Sequence, residues 1–210
     1  GGLAINTALR GKLLGLKFSK VISIGNAIDL KPAEILKLMN MDKDTKYIGC
    51  YCESVGKSIE EGRELLTVVR ETVKNKPVII WRGGRSERGS IAASSHTGAL
   101  KTNNKIWDAF IKQSGVIAVD SFEEFMDTLL GFQISGGNVG KGVGLVSISG
   151  GSAVTATDEL MEQGLELPKL SEETQEQIMG RVLQKVGVSA KNPVDLGSSY
   201  FGFSIINKTI

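Results

Sequence analysis

Residues 47–81 read YIGCYCESVGKSIEEGRELLTVVRETVKNKPVIIW, and this stretch decides the fold. Tyr47–Cys52 and Val78–Trp81 are short apolar runs of strand length. Between them, Ser58 and Glu61 stand at capping-box spacing, and Leu65, Leu66, Val69 and Val73 then fall on one helical stripe. Strand, helix, strand is therefore predicted here. Because the strands are apolar on both sides, each face of their sheet must be covered, which points to a parallel sheet between helical layers.

The same beat continues outward. Val21–Ile24, Val116–Val119 and Val143–Ile148 are further strand-like runs, and the first residues of the five runs are spaced by 26, 31, 38 and 27. Phe122, Phe125, Met126, Leu129 and Leu130 form a helical stripe behind Ser121 and Glu124, again a capping pair. Pro32 suits the first turn of a helix carrying Ile35, Leu36 and Met39. The fold class predicted is α/β, built on doubly wound parallel sheets.

At 210 residues the chain can hold one large domain or two small ones. Its 25 basic and 23 acidic residues are too balanced for nucleic acid or an anionic membrane to be the main partner. No apolar run reaches the ~18 residues of a membrane span, and no signal segment opens the chain, so a cytoplasmic location is expected. The 26 glycines are an excess for this length, which with only 4 prolines implies turns and close backbone approaches rather than a linker-rich chain. Cys50 and Cys52 alternate onto one face of their strand and read as core thiols; no set of residues for a metal site is evident.

Ile134–Gly142 contains four glycines and is the best linker, giving predicted domains of 1–135, with net charge +4, and 136–210, with net charge −2. An internal repeat supports two related halves: Gly1-Gly2-Leu3-Ala4 and Gly150-Gly151-Ser152-Ala153 lie 149 residues apart, and each is followed by an Asn-x-x-Asp-Leu unit, Asn26–Leu30 and Asn192–Leu196. In the second copy a strand precedes the glycines. We therefore expect the chain to start just after such a strand, and to end before its second domain is complete.

Ligands of doubly wound sheets bind beyond the carboxyl ends of the strands. Gly25-Asn26, Glu53 and Arg82-Gly83-Gly84 occupy those exits, and Gly1-Gly2 would follow the absent strand. The third exit opens into a stretch of small residues holding His96, the only histidine; from Arg82 to Lys105 it has five basic residues and one acid. Such a stretch suits an anion such as phosphate. A neutral imidazole is nucleophilic near neutral pH, and a carboxylate on its other nitrogen fixes the tautomer and stabilises the charged product. Glu53 is the acidic residue placed to do this. Glycines at a helix start, Gly1-Gly2, allow a phosphoryl group to meet the positive end of the helix; Gly150-Gly151 reads either as a second such start or as an echo of the repeat.

The string Gly84-Arg85-Ser86, followed by Ala92-Ala93-Ser94-Ser95-His96-Thr97-Gly98-Ala99, resembles the phosphohistidine segment of the ADP-forming acyl-CoA synthetases, relatives of succinyl-CoA synthetase. Ser23–Asp29, Tyr51–Ser54, Gln113–Val116, Ser149–Gly151 and Asn192–Asp195 match in family order, so the likeness spans nearly the whole chain. A departure follows the histidine segment, where Lys101-Thr102-Asn103 replaces the family's small residues.

The resemblance implies two flavodoxin-like domains, the second truncated, and a reaction in three steps. Acyl-CoA and phosphate give acyl phosphate and CoA; a histidine takes the phosphoryl group; the phosphohistidine passes it to ADP. The matching nucleophile is His96, with Glu53 as its supporting carboxylate and Gly1, Gly2, Gly25 and Asn26 about the phosphate. Also implied are CoA, ATP or ADP and Mg²⁺, a small acyl substrate, an upstream CoA-binding Rossmann domain, an ATP-grasp domain or subunit for the nucleotide, and an oligomeric enzyme. This portion alone should be inactive. The alternative is a ligand-binding or assembly module that keeps the fold without the chemistry. A serine hydrolase using Ser94 or Ser95 is disfavoured, since adjacent residues do not reach triad geometry and no Gly-x-Ser-x-Gly elbow is present.

Overall fold

Serine caps set where two helices of the first half begin. In the computed structural model, which describes residues 1–89, 91, 103–137, 140–182 and 187–197, the Ser58 hydroxyl accepts from Glu61 N at 3.2 Å and Ser121 Oγ accepts from Glu124 N at 3.0 Å. These caps open α3 (Ile59–Thr72) and α5 (Phe122–Ser135). The reciprocal half of each capping box is displaced by one residue: Glu61 accepts from Lys57 N and Glu124 from Asp120 N, both at 2.7 Å. Each carboxylate thus satisfies an amide just outside the helix while lying near its positive end. Pro32 opens α2 (Pro32–Met41) at its first position, and Glu34 accepts from Lys31 N at 2.8 Å. Asn103 caps α4 (Asn104–Ser114), its Oδ1 accepting from Lys105 N at 2.8 Å.

The chain divides into two compact units, Gly1–Asn138 and Val139–Ile210. The division falls slightly beyond the 135/136 boundary expected from the sequence; α5 runs through Ser135 and closes on Gly136 in the left-handed conformation. In the first unit, β1 (Ile48–Cys52), β2 (Val78–Arg82) and β3 (Ile117–Val119) form a parallel sheet in that order. Ile48 stands opposite Val78, and Ile79 opposite Ile117. One face is covered by α2, α3 and α4 through Leu36, Leu65, Val69, Trp107 and Phe110. The other is covered by α5 through Phe125, Met126 and Leu129, joined by Leu16 just after α1 (Gly2–Leu14). The apolar strands are thus sandwiched as the sequence requires.

Val21–Ile24 departs from its expectation. It forms no strand, and Val21 and Ile22 are each 45% exposed. Local hydrophobicity favours an extended backbone, but a strand needs a neighbour to pair with, and among the described residues none pairs with this segment.

The second unit holds β4 (Val146–Ser147) and β5 (Val194–Asp195), a parallel pair, with α6 (Gly150–Glu162) and α7 (Glu172–Arg181). Ile178, Val182, Ala190, Val194 and Leu196 make its core. The repeated glycine starts produce helices of equal length, 13 residues in both α1 and α6. The two Asn-x-x-Asp-Leu units do not share a structure. Asn26–Leu30 is a series of turns with Ile28 84% exposed, whereas Val194-Asp195 is a strand whose Val194 and Leu196 are buried. Asn192 there accepts from Leu145 N at 3.0 Å and donates to Val143 O and Pro168 O at 2.7 and 3.0 Å, tying three segments together.

Candidate functional site

The carboxyl edge of the first sheet brings two exits side by side. Cys52 pairs with Arg82 at the end of the ladder, and Gly83 N donates to Cys52 O at 2.9 Å, extending the pairing one step further. Glu53 follows β1 directly, so its carboxylate stands at this edge. Tyr51, two residues earlier on the same strand face, donates its hydroxyl to Glu53 Oε1 at 3.0 Å. Burial of the Tyr51 ring, followed by the hydrogen bond to Glu53 and the carboxylate's charge, pushes that hydroxyl up to about 12. It remains a donor at neutral pH.

Glu53 lines a cavity of about 200 Å³ together with the turn Gly25-Asn26-Ala27, Lys57 and Glu61. The turn is unusual: Gly25 has φ 56° and Ala27, which carries a side chain, has φ 50°. A non-glycine residue held there costs about 1–3 kcal/mol. Lys57 supports it, donating Nζ to Asn26 O at 2.8 Å and Ala27 O at 3.4 Å. Lys31 and Glu61 form an ion pair at 3.1 Å. The Lys57 amide and the Lys31 ammonium hold the Glu61 carboxyl below its ordinary range, and Glu61 in turn raises Lys31.

Three of the residues expected at the site, Gly25, Asn26 and Glu53, therefore line one cavity. Gly1 and Gly2 do not line it; they start α1, where the Gly1 nitrogen hydrogen-bonds to Ser23 Oγ, two residues from Gly25. The first turn of α1 holds no acidic side chain, leaving the positive end of the helix uncompensated there. His96 lies outside the described residues.

Two of the basic residues expected to serve an anion have partners within the first unit. Arg82 lies over the Trp107 ring, 5.2 Å from its centroid, and donates to Asn104 Oδ1 at 2.5 Å. Arg85 pairs with the Asp120 carboxylate and donates to Asp120 O at 2.8 Å. Cys50 and Cys52 both pack into the core below the cavity. Burial pushes the Cys52 thiol up to about 12, with Glu53 adding to it, and raises Cys50 as well. Thiols held protonated are poor nucleophiles and poor metal ligands.

Sequence reasoning missed Tyr51 and Lys57 as contributors. Tyr51 was open to discovery, because period-two alternation puts it on the same face as Glu53. Lys57 left no such signal, since its bonds to Asn26 and Ala27 span 31 and 30 residues.

The matches to known proteins agree with this geometry. Residues 1–132 match the model of the succinyl-CoA ligase like flavodoxin domain. The acetate–CoA ligase (ADP-forming) II alpha subunit of Pyrococcus furiosus is 36% identical over 88% of this chain. The 4-hydroxybutyrate–CoA ligase (ADP-forming) of Nitrosopumilus maritimus is 34% identical over 87% of it. The chain spans 39% of the first relative's length and 25% of the second's. Among solved structures, a dinucleotide-forming acetyl-coenzyme A synthetase 1 from Ca. Korarchaeum cryptofilum, in complex with phosphate and ADP, superposes with a TM-score of 0.76 at 28% identity, covering 94% of this chain and 42% of that one. With its parallel sheets, its cavity at the strand exits and a family match over more than half its length, the chain belongs to the succinyl-CoA ligase like flavodoxin domain family, whose members here include ADP-forming acyl-CoA synthetases.

Proposed function

We propose that this chain is the central, phosphoryl-carrying part of an ADP-forming acyl-CoA synthetase, interconverting acyl-CoA, ADP and phosphate with a carboxylic acid, CoA and ATP. The observation that carries the reading is the convergence of Glu53, Gly25 and Asn26 on one cavity at the carboxyl edge of the sheet, in a chain whose relatives are ADP-forming ligases.

Phosphate attacks the thioester carbonyl of acyl-CoA, expelling CoA and leaving an acyl phosphate. The His96 imidazole then attacks phosphorus; the P–O bond to the acyl group breaks and the carboxylate leaves. ADP attacks the phosphohistidine, forming ATP and returning the imidazole. Glu53 serves this sequence by facing the imidazolium character that develops as the N–P bond forms. The turn held by Lys57 and the start of α1 supply backbone N–H groups for phosphate oxygens.

Residues 1–135 would form the phosphohistidine-bearing domain and 136–210 a second related one. We assign Mg²⁺, with the nucleotide it accompanies, to an ATP-grasp partner, and CoA to a Rossmann domain; that the Pyrococcus furiosus relatives are alpha subunits supports a partner subunit. Relatives acting on acetate and on 4-hydroxybutyrate support a small carboxylic acid as substrate. No described helix is long and apolar enough to cross a membrane, consistent with a cytoplasmic reaction.

The test is an assay of the assembled enzyme with acetyl-CoA, phosphate and ADP. Formation of ATP in step with CoA release, dependent on phosphate, is the expected result. Thioester cleavage that proceeds without phosphate and makes no ATP would overturn the assignment.

A further inference from the structure

Tyr51 is tied into the site from three directions. Its hydroxyl donates to Glu53 Oε1 at 3.0 Å. Its ring meets Trp81 edge-on, with centroids 4.9 Å apart, and Trp81 in turn contacts Phe122 at 5.5 Å and Phe125 at 6.0 Å. On the other side of the hydroxyl lies Gly83, where a Cβ would stand only 2.2 Å from Tyr51 Oη and 2.7 Å from its Cζ. Any other residue at the β2 exit would push the tyrosine away from the carboxylate. An aromatic ladder running from α5 through both strands, with a glycine gap at its tip, therefore places one hydroxyl on one carboxylate oxygen.

We propose that Tyr51 is a positioning residue for phosphoryl transfer: its hydroxyl holds one oxygen of Glu53 and so fixes the orientation of the carboxylate that supports the imidazole, and Gly83 is the residue that leaves room for it. This rests on the reading of Glu53 as the carboxylate that supports His96. A carboxylate at a strand exit acts best when one orientation is fixed in advance, which removes a reorganisation step from the transition state. Tyr51 touches no reacting atom and acts only through Glu53.

The experiment is a double-mutant cycle in the assembled enzyme, read by rapid-quench measurement of phosphoenzyme formation from ATP. Tyr51→Phe keeps the ring and its stack; it is expected to slow transfer about tenfold, with the KM for ATP unchanged. Gly83→Ala is expected to give a loss of similar size by displacing the hydroxyl. In a Glu53→Gln background, Tyr51→Phe should add less than about twofold, since the group it positions has already lost its charge. A wild-type rate for Tyr51→Phe, or losses that multiply in the double variant, would overturn the proposal. If Glu53→Gln alone leaves the rate untouched, the reading of Glu53 fails and this proposal with it; a slow Glu53→Gln beside a normal Tyr51→Phe removes this proposal alone. Should Gly83→Ala not fold, Tyr51→Phe still decides.

Discussion

His96→Ala in the assembled enzyme is expected to abolish ATP formation, a loss of at least about 10⁴-fold, and to leave no phosphoenzyme when the protein is incubated with ATP. Transfer between an acyl phosphate and a nucleotide bound elsewhere needs a carrier, and His96 is the only histidine in the chain. Alanine supplies no nucleophile, and the neighbouring serine and threonine hydroxyls are far weaker nucleophiles near neutral pH than a neutral imidazole. Formation of acyl phosphate from acyl-CoA and phosphate does not use the imidazole, so that partial reaction should survive. Quenched-flow separation of acyl phosphate, CoA and ATP checks both halves. Retained ATP synthesis in His96→Ala would dismiss the carrier.

Glu53→Gln should produce the second largest effect. The amide has nearly the same shape and still accepts the Tyr51 hydroxyl, so the cavity and the sheet edge are preserved while the negative charge is removed. A charge-assisted hydrogen bond to a developing imidazolium is about twice as strong as a neutral one. We expect phosphoryl transfer to slow by about 100-fold, equivalent to about 2.7 kcal/mol of transition-state stabilisation. Because Glu53 lies beyond the strand end and outside the two core clusters of its unit, stability should change by no more than about 0.5 kcal/mol. Single-turnover kinetics beside a thermal melt separate these outcomes; equal losses of rate and stability would make Glu53 a structural residue.

The helices and most strands were legible because their signals are local. Ser58 and Ser121 announce α3 and α5 through bonds three residues long, and Val78–Ile80 is apolar enough to demand cover on both faces. Val21–Ile24 was misread for the converse reason, since pairing depends on a neighbour that periodicity does not reveal. The Asn-x-x-Asp-Leu units show the same limit: one pattern serves as turns at Asn26 and as a strand at Val194, and the environment of each decides. In the site, Glu53 could be placed because it follows a strand of the parallel sheet; Gly25 and Asn26 were expected beside it from a strand that does not form, and their turn is instead held by Lys57. Lys57, which donates to two carbonyl groups, had no sequence signature. The roles expected of Arg82 and Arg85 were read from charge alone, and charge does not show that Trp107, Asn104 and Asp120 already engage them.

The central claim, that one imidazole carries the phosphoryl group, is tested most directly by mapping the label. Trypsin cleaves after Arg88 and Lys101, releasing residues 89–101 with His96 as their single histidine beside three serines and one threonine. The account predicts phosphate on that peptide, stable in alkali and lost in acid, with fragmentation assigning it to His96. An acid-stable phosphate on Ser90, Ser94, Ser95 or Thr97, or label confined to another peptide, would contradict it.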